Sequence, residues 1–168
     1  MTIDPAAAMP YFAPMHHPAN GIAPLTTASG GAAWPSANLA LYFPFRIGSP
    51  MLVTRLWFAG NGTGNADVGI FDMTSGTKLV STGAIANSAA LVLTDVTDML
   101  LLPGFYWCGM SLSSTSQIIA AAPAIGTLRA QGVCQEASAH PLPATATPIT
   151  IAYAYLPLFG VSTIAADL

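Results

Sequence analysis

Charge is the scarcest property of this sequence. Of its 168 residues, four are lysine or arginine and seven are aspartate or glutamate, so that 7% of the chain is charged, against about 25% in ordinary soluble domains. The cations Arg46, Arg55, Lys78 and Arg129 are scattered and too few to neutralise a run of phosphates, which excludes electrostatic binding of nucleic acid. We expect partner subunits to cover much of the surface, because a monomer with so little charge is poorly soluble.

Cysteine and long apolar runs are also scarce. Cys108 and Cys134 are too few for a disulfide framework and lie in no metal-ligand spacing. The apolar surroundings of Cys108 favour a small buried side chain. The uncharged residues 99–128 are interrupted by Pro103-Gly104 and by a polar gap at 111–117, whereas a membrane-spanning helix needs about 20 continuous apolar residues. We therefore expect no membrane span. The N-terminus has no basic segment followed by a compact apolar core, so we expect no signal peptide.

Apolar residues are abundant instead. They make up 53% of the chain, and the mean hydropathy is +0.58. Disordered chains combine low hydrophobicity with high charge, so this composition excludes a disordered protein. At 17.2 kDa the chain is long enough to bury the core of a single domain.

Proline is concentrated near the N-terminus, where residues 1–35 hold six of the fourteen prolines. Each proline removes a hydrogen-bond donor and restricts the residue before it. We predict that residues 1–35 form an extended docking arm and that residues 36–168 form one β-sandwich domain. The apolar residues of the arm are the predicted partner-binding residues, namely Met9, Tyr11, Phe12, Met15, Ile22 and Leu25.

The body of the chain alternates between apolar and polar residues, with glycine and proline at the turns. Strands are predicted at 39–47, 52–58, 67–72, 78–81, 91–95, 105–112, 117–121 and 149–156. Residues 82–90 are predicted to be a loop, and the last strand to pair with the first strand of the body. Strands in close succession without crossover helices indicate an all-β fold, an antiparallel β-sandwich or jelly roll.

Titratable residues offer only weak signs of catalysis. The neighbouring His16 and His17 have no carboxylate or cysteine beside them, so polar surface residues are a simpler interpretation than metal ligands. His140 and Glu136 could form a base and its orienting partner. No nucleophile motif accompanies them, which favours ordinary loop residues.

The aspartates of the body leave two further alternatives. A glycosidase pair or a calcium site could draw on Asp67, Asp72, Asp95 and Asp98, although their spacing matches no known calcium loop. The segment from Asp95 to Asp98 is predicted to cap a turn. The glycines of residues 60–64 precede a strand rather than the helix that a phosphate loop needs, so a hairpin loop is predicted. We predict no catalytic residue, cofactor or metal, and no enzyme.

The tryptophans and tyrosines have two interpretations. On alternate strand positions they could form a platform that stacks on sugars, or they could fill the core and subunit interfaces. The residues concerned are Trp34, Trp57, Trp107, Tyr42, Tyr106, Tyr153 and Tyr155.

Three stretches of the body carry a resemblance to a known group of proteins. They read LYFPFRIGSPMLVTRLWFAGN, NADVGIFDMTSGTKLVSTGAI and LTDVTDMLLLPGFYWCGMSLSS, in that order. Together they resemble a β-sandwich module of tailed-bacteriophage virion proteins. The matching positions are Tyr42, Pro44 and Phe45, then Val53 to Leu56, Asn65 to Asp72, Leu79 to Gly83, Asp95 to Asp98, and Pro103 to Tyr106. The resemblance covers residues 38–122, and the arm and the tail lie outside it.

The resemblance implies a structural role in the virion and supplies no catalytic residues. Such modules occur in trimeric tail-fibre, tail-tip and capsid-surface proteins. The short chain favours a capsid decoration or cement protein, because fibres are built from long chains. The implied partners are two further copies of the chain and the major capsid protein, at the capsid surface of the virion. The alternatives are a tail-fibre or tail-tip component and a receptor-binding module that binds a surface glycan.

Overall fold

The structure, a computed structural model, describes residues 15–16, 21–24, 31–87, 91–121 and 124–162. These residues form strands and one short helix. In chain order the elements are β1 (Met15–His16), β2 (Gly21–Pro24), β3 (Gly31–Ala33), β4 (Ala40–Ile47), β5 (Met51–Ala59), β6 (Asn65–Asp72), β7 (Lys78–Ser81), β8 (Ile85–Ala86), β9 (Leu91–Leu101), β10 (Gly104–Leu112), β11 (Gln117–Ala121), α1 (Ile125–Ala130), β12 (Cys134–Glu136), β13 (Ile149–Thr150), β14 (Leu156–Pro157) and β15 (Phe159–Ser162).

Two antiparallel sheets contain most of the strands. One has the order β1-β2-β15-β5-β9, and the other has the order β13-β12-β4-β10-β6-β7, with β8 beside β6. The sheets pack face to face, with the rings of Phe43 and Phe159 5.2 Å apart between them. The predicted antiparallel all-β sandwich is confirmed.

The side chains of β4 alternate between two buried faces of the sheet. Leu41, Phe43, Phe45 and Ile47 belong to the main core between the sheets. Ala40 and Tyr42 lie on the opposite face of β4, in a second buried cluster. Because β4 is buried on both faces, its apolar character is nearly continuous.

Residues 137–148 cover the outer face of the seven-stranded sheet, and we call this segment the strap. Ala139, Leu142 and Ala146 of the strap pack in the second cluster against Tyr42 and Phe71. The strap is held by backbone hydrogen bonds at both ends: the Ala139 amide donates to the Asn38 carbonyl at 2.7 Å, and the Ala146 amide to the Gly76 carbonyl at 2.8 Å. The outer face of this sheet is therefore a second small core.

Proline inside a β-strand is found mainly at sheet edges and bulges. Pro44 lies in β4 opposite Trp107 of β10. On the other side, β12 pairs only with residues 40–42 of β4. Pro44 is thus beyond the end of β12, where β4 has a neighbour on one side alone, a position that tolerates proline.

Several predicted elements differ in the structure. The strand predicted at 149–156 is wrong: only Ile149–Thr150 and Leu156–Pro157 are strands, and they pair with β12 and β11. The strand that adjoins β4 on this side is β12. Of the apolar residues that alternate in this segment, Ile151 and Tyr155 are buried but Ile149 and Tyr153 are exposed, so the alternation does not correspond to one buried face of a strand.

The segment from Asp95 to Asp98 is not a turn. It lies within β9, which continues to Leu101, and the register with β5 shifts at this point. Such a bulge accommodates extra residues without ending the strand. The helix α1 was not predicted; its one buried side chain is Leu128, too little to give an amphipathic pattern.

The predicted boundary between arm and body also differs. The strand β3 pairs with β11, and Trp34 is 1% exposed in the main core. The backbone of β2 pairs with β15. Parts of residues 1–35 thus belong to the sheets, because isolated stretches between prolines retain enough amides for short ladders.

No helix of the described residues is both long and apolar enough to span a membrane.

Candidate functional site

The predicted partner-binding residues are only partly described by the structure. Met15 lies in β1 and Ile22 in β2, where Ile22 is opposite Val161 of β15. The other four, Met9, Tyr11, Phe12 and Leu25, lie outside the described residues.

Exposed apolar side chains surround the turn between β9 and β10. Leu52 and Leu100 are directly opposite each other in β5 and β9 and are 44% and 56% exposed. Leu102 and Phe105, on either side of the turn, are 57% and 49% exposed. We call these four residues the apolar end. Isolated exposed leucines are ordinary, whereas a group of them is typical of an interaction site.

The edge of the five-stranded sheet near this end is less suited to binding a further strand. β9 is the outermost strand of the sheet. It carries the charged residues Asp95 and Asp98, and its register with β5 shifts in this segment. Edge charges and bulges both oppose pairing between sheet edges. Asp95 is 3.5 Å from Arg55 in an ion pair whose carboxylate is 81% exposed, so its contribution to stability is small.

A buried polar cluster joins the strap to the seven-stranded sheet. Asp67 of β6 and Ser111 of β10 are opposite each other and fully buried. Asp67 Oδ2 accepts a hydrogen bond from the Leu142 amide at 3.0 Å. The Lys78 ammonium donates to the Leu142 carbonyl at 2.7 Å. His140 Nδ1 lies 3.0 Å from Ser111 Oγ.

Burial and hydrogen bonding determine the ionisation of this cluster. Burial raises the pKa of the Asp67 carboxyl, against the opposing effects of the Leu142 amide, the Lys78 charge, the Thr82 hydroxyl and His140. Burial lowers the pKa of His140, although the Asp67 charge and the bond with Ser111 oppose this. Each group is thus less easily charged than in water.

The pairing of His140 with Glu136 is wrong. Glu136 Oε2 accepts hydrogen bonds from the Tyr42 hydroxyl at 2.9 Å and from the Thr147 amide at 3.1 Å. His140 contacts Ser111 instead. Because the Ser111 side chain is buried, it is not placed to attack a substrate. The cluster is arranged to hold the strap.

The aspartates do not converge on one site. Asp72 Oδ1 accepts hydrogen bonds from the amides of Thr74 and Ser75, which lower the pKa of Asp72 and close a turn. No group of three histidine, cysteine, aspartate or glutamate residues that could hold a metal ion occurs in the described part of the chain. The loop at 60–64 packs on serines, with the Ser114 hydroxyl donating to the Thr63 carbonyl at 2.7 Å.

Most of the aromatic residues considered for sugar stacking are in the interior. Trp34, Tyr42, Tyr106 and Tyr155 are buried, and Trp57 and Trp107 are half-buried. Tyr153 is exposed. The Trp107 indole nitrogen is buried and has no hydrogen-bond partner among the residues that the structure describes. Core packing is therefore the main role of these side chains.

Sequence reasoning missed the Asp67, Lys78, Ser111 and His140 cluster. One signal was present, since Asp67 stands in an apolar strand where a carboxylate needs partners. The partners could not be deduced, because the Asp67 and Leu142 positions are 75 residues apart in the chain.

No family model matches the chain, and no match was found among curated proteins or solved structures.

Proposed function

We propose that this chain is a structural protein of a tailed-bacteriophage virion, a capsid decoration or cement protein that binds the capsid surface as a homotrimer and stabilises it. The observation that carries the proposal is the apolar end, Leu52, Leu100, Leu102 and Phe105, on a chain of which 7% is charged. The resemblance of residues 38–122 to virion β-sandwich modules agrees with the antiparallel sandwich fold.

The exposed leucines give the trimer its driving force. Full burial of one such side chain contributes about 1.5–3 kcal/mol. The charges and the bulge of β9 oppose association through the sheet edge, so the contact is made by side chains at the apolar end. No catalytic arrangement is part of the proposal.

The first part of the arm, residues 1–14, attaches the trimer to the major capsid protein. Residues 1–14 contain Met9, Tyr11 and Phe12 as apolar anchors and one charge, Asp4. The prolines at positions 5, 10 and 14 lower the entropy that the segment loses on docking. A short arm of this composition can bind an apolar groove without regular secondary structure.

Two measurements test the proposal. Light scattering coupled to size exclusion should give three times the mass of the chain at micromolar concentration. An electron-microscopy reconstruction of particles, with and without the gene for this chain, should show extra density over the capsid only when the gene is present.

The alternatives predict different outcomes. Density at the tail would identify a tail-fibre or tail-tip component. A monomer that binds an oligosaccharide on a glycan array would identify a carbohydrate-binding module. Particles that lack the chain altogether would contradict the virion role.

A further inference from the structure

A cyclic trimer needs two different surfaces on each subunit. Each contact in such a trimer is heterologous, because a contact that is the same on both sides closes a dimer instead. The apolar end supplies one of the two surfaces. The other surface has to lie elsewhere on the subunit, expose apolar side chains and complement the charge beside the apolar end.

The charge beside the apolar end belongs to Asp98. It lies two residues before Leu100 in β9, and side chains two apart share one face of a strand. Asp98 is exposed and makes no hydrogen bond or ion pair with any other residue that the structure describes. The other described carboxylates have partners within the subunit, and they are Asp67, Asp72, Asp95 and Glu136.

A second exposed apolar surface surrounds the buried Ile151. Ile149 and Tyr153, two residues to either side of it, are 64% and 38% exposed. The exposed Arg129 of α1 donates from Nε to the Ile151 carbonyl at 3.0 Å. We call Arg129, Ile149 and Tyr153 the tail patch. Within the described ranges the Arg129 guanidinium pairs with no carboxylate.

The two surfaces are far apart on one subunit. Phe105 of the apolar end is opposite Arg46 of β4. Ile149 is opposite Gln135 of β12, which is in turn opposite Leu41 of β4. The five residues from Leu41 to Arg46 correspond to about 17 Å along the strand, and the three strand spacings from β10 to β13 to about 14 Å across the sheet. The apolar end and the tail patch of one subunit therefore cannot contact each other.

We propose that the apolar end of each subunit binds the tail patch of the next copy, with the Asp98 carboxylate paired to the Arg129 guanidinium across the contact. The inference rests on the proposed trimer and identifies the second surface of its contact. The terminal N–H groups of an arginine form a planar pair of donors that matches a carboxylate. The exposed leucines, Ile149 and Tyr153 supply the apolar area around this ion pair.

Charge reversal tests the pairing. Asp98→Arg and Arg129→Asp should each weaken trimer association by at least about tenfold, because like charges then face each other. The chain with both substitutions should associate within about threefold of the wild-type protein, since opposite charges meet again in reversed order. Native mass spectrometry over a dilution series measures association. The matched control combines Asp95→Arg with Arg129→Asp; it has the same net charge, leaves Asp98 facing an aspartate and should stay weak.

Hydrogen exchange tests the contact in the unmodified chain. Peptides covering 98–105 and 147–155 should both gain protection as dilute subunits associate, because each surface is covered by the next copy. Peptides covering β7, at the far edge of the seven-stranded sheet, should not change. This measurement stands even if Arg129→Asp, which removes the hydrogen bond to Ile151, prevents folding.

The outcomes separate this inference from the proposed function. A wild-type trimer whose association is not restored in the double reversal, or is restored equally in the control, would overturn the inference and leave the trimer in place. Protection gained at 98–105 alone would do the same. A monomer at every concentration would overturn both the inference and the proposed trimer.

Discussion

Asp67 is the residue at which the sheet and the strap meet. Its carboxylate accepts from the Leu142 amide and from the Thr82 hydroxyl, at 3.0 and 3.2 Å. We expect Asp67→Ala to lower the free energy of unfolding by about 3 kcal/mol at pH 7, because it leaves the buried Leu142 amide without its acceptor and removes the negative charge near Lys78. Urea unfolding measures the change. A loss below about 0.5 kcal/mol would show that the strap does not depend on this carboxylate.

The pH dependence of the same site has a defined sign. Because burial raises the pKa of Asp67 in the folded protein, ionisation costs stability as the pH rises from about 4 through the folded pKa. Asp67→Asn lacks this dependence. The excess stability of the wild-type protein over Asp67→Asn should therefore be larger at pH 4 than at pH 7. Urea unfolding of both proteins at the two pH values measures it, and an excess that grows with pH would contradict the assignment.

The two cysteines should differ in reactivity. Cys108 is fully buried, and burial raises the pKa of its thiol. Cys134 is half-buried, so that a reagent can reach its sulfur, although burial raises its pKa as well. The thiolate is the reactive form. We expect iodoacetamide at pH 8 to modify Cys134 slowly and Cys108 only after denaturation. Mass spectrometry of tryptic peptides distinguishes the sites, and rapid labelling of Cys108 in the native protein would be inconsistent with this core.

At the scale of elements, a pair of glycines allows the centre of the seven-stranded sheet to be covered. Gly69 of β6 and Gly109 of β10 are opposite each other. A Cβ at Gly109 would lie 3.0 Å from the Tyr42 ring and 3.1 Å from Phe71. Glycine is therefore needed here for the close approach of the aromatic side chains.

Gly109→Ala should destabilise the protein by about 1–3 kcal/mol through overpacking. The matched control is Gly126→Ala in α1, where no atom lies within 4 Å of the added Cβ. This change should raise stability by about 0.5–1 kcal/mol, because alanine favours helix over glycine. Thermal unfolding of both variants gives the comparison. Equal effects of the two substitutions would refute the packing argument.

The strands were predictable where the side chains alternate. The pattern of β4, β5, β6 and β10 is local, so it identified each strand from the residues themselves. The pattern at 149–156 failed, because only Ile151 and Tyr155 of its alternating apolar residues are buried, whereas Ile149 and Tyr153 are exposed. β9 was ended too early at Asp95, because a bulge retains polar residues inside a strand.

At the scale of the molecule, Leu100 and Leu91 allow the proposed interface to be located. Both are in β9 and are 56% and 57% exposed, at opposite ends of the strand. Leu100→Ser should weaken trimer association by at least about tenfold, because it removes buried apolar area in each copy. Leu91→Ser should leave the trimer intact. Native mass spectrometry over a dilution series measures this, and equal effects would place the interface elsewhere.

Two truncations of the N-terminus should separate binding to particles from folding of the β-sandwich domain. Deletion of residues 2–14 leaves β1 and β2 in place and should give a folded trimer that no longer binds particles. Deletion of residues 2–30 also removes β2, whose loss exposes β15 along its free edge, and should lower stability as well. Cosedimentation with particles and thermal unfolding measure the two effects. Full occupancy of particles by the shorter deletion would show that residues 2–14 are not the docking segment.

The sequence by itself determined that this protein is an antiparallel β-sandwich with few charges, because alternation and turn residues act over a few neighbouring positions. Only the tertiary structure decided which side chains meet. Tyr42 and Glu136 are 94 residues apart, and Asp67 and Leu142 are 75 apart. Their contacts depend on the order of the strands in the sheet and on the path of the strap across it. Many orders bury the same apolar residues, so local patterns leave these partners undetermined.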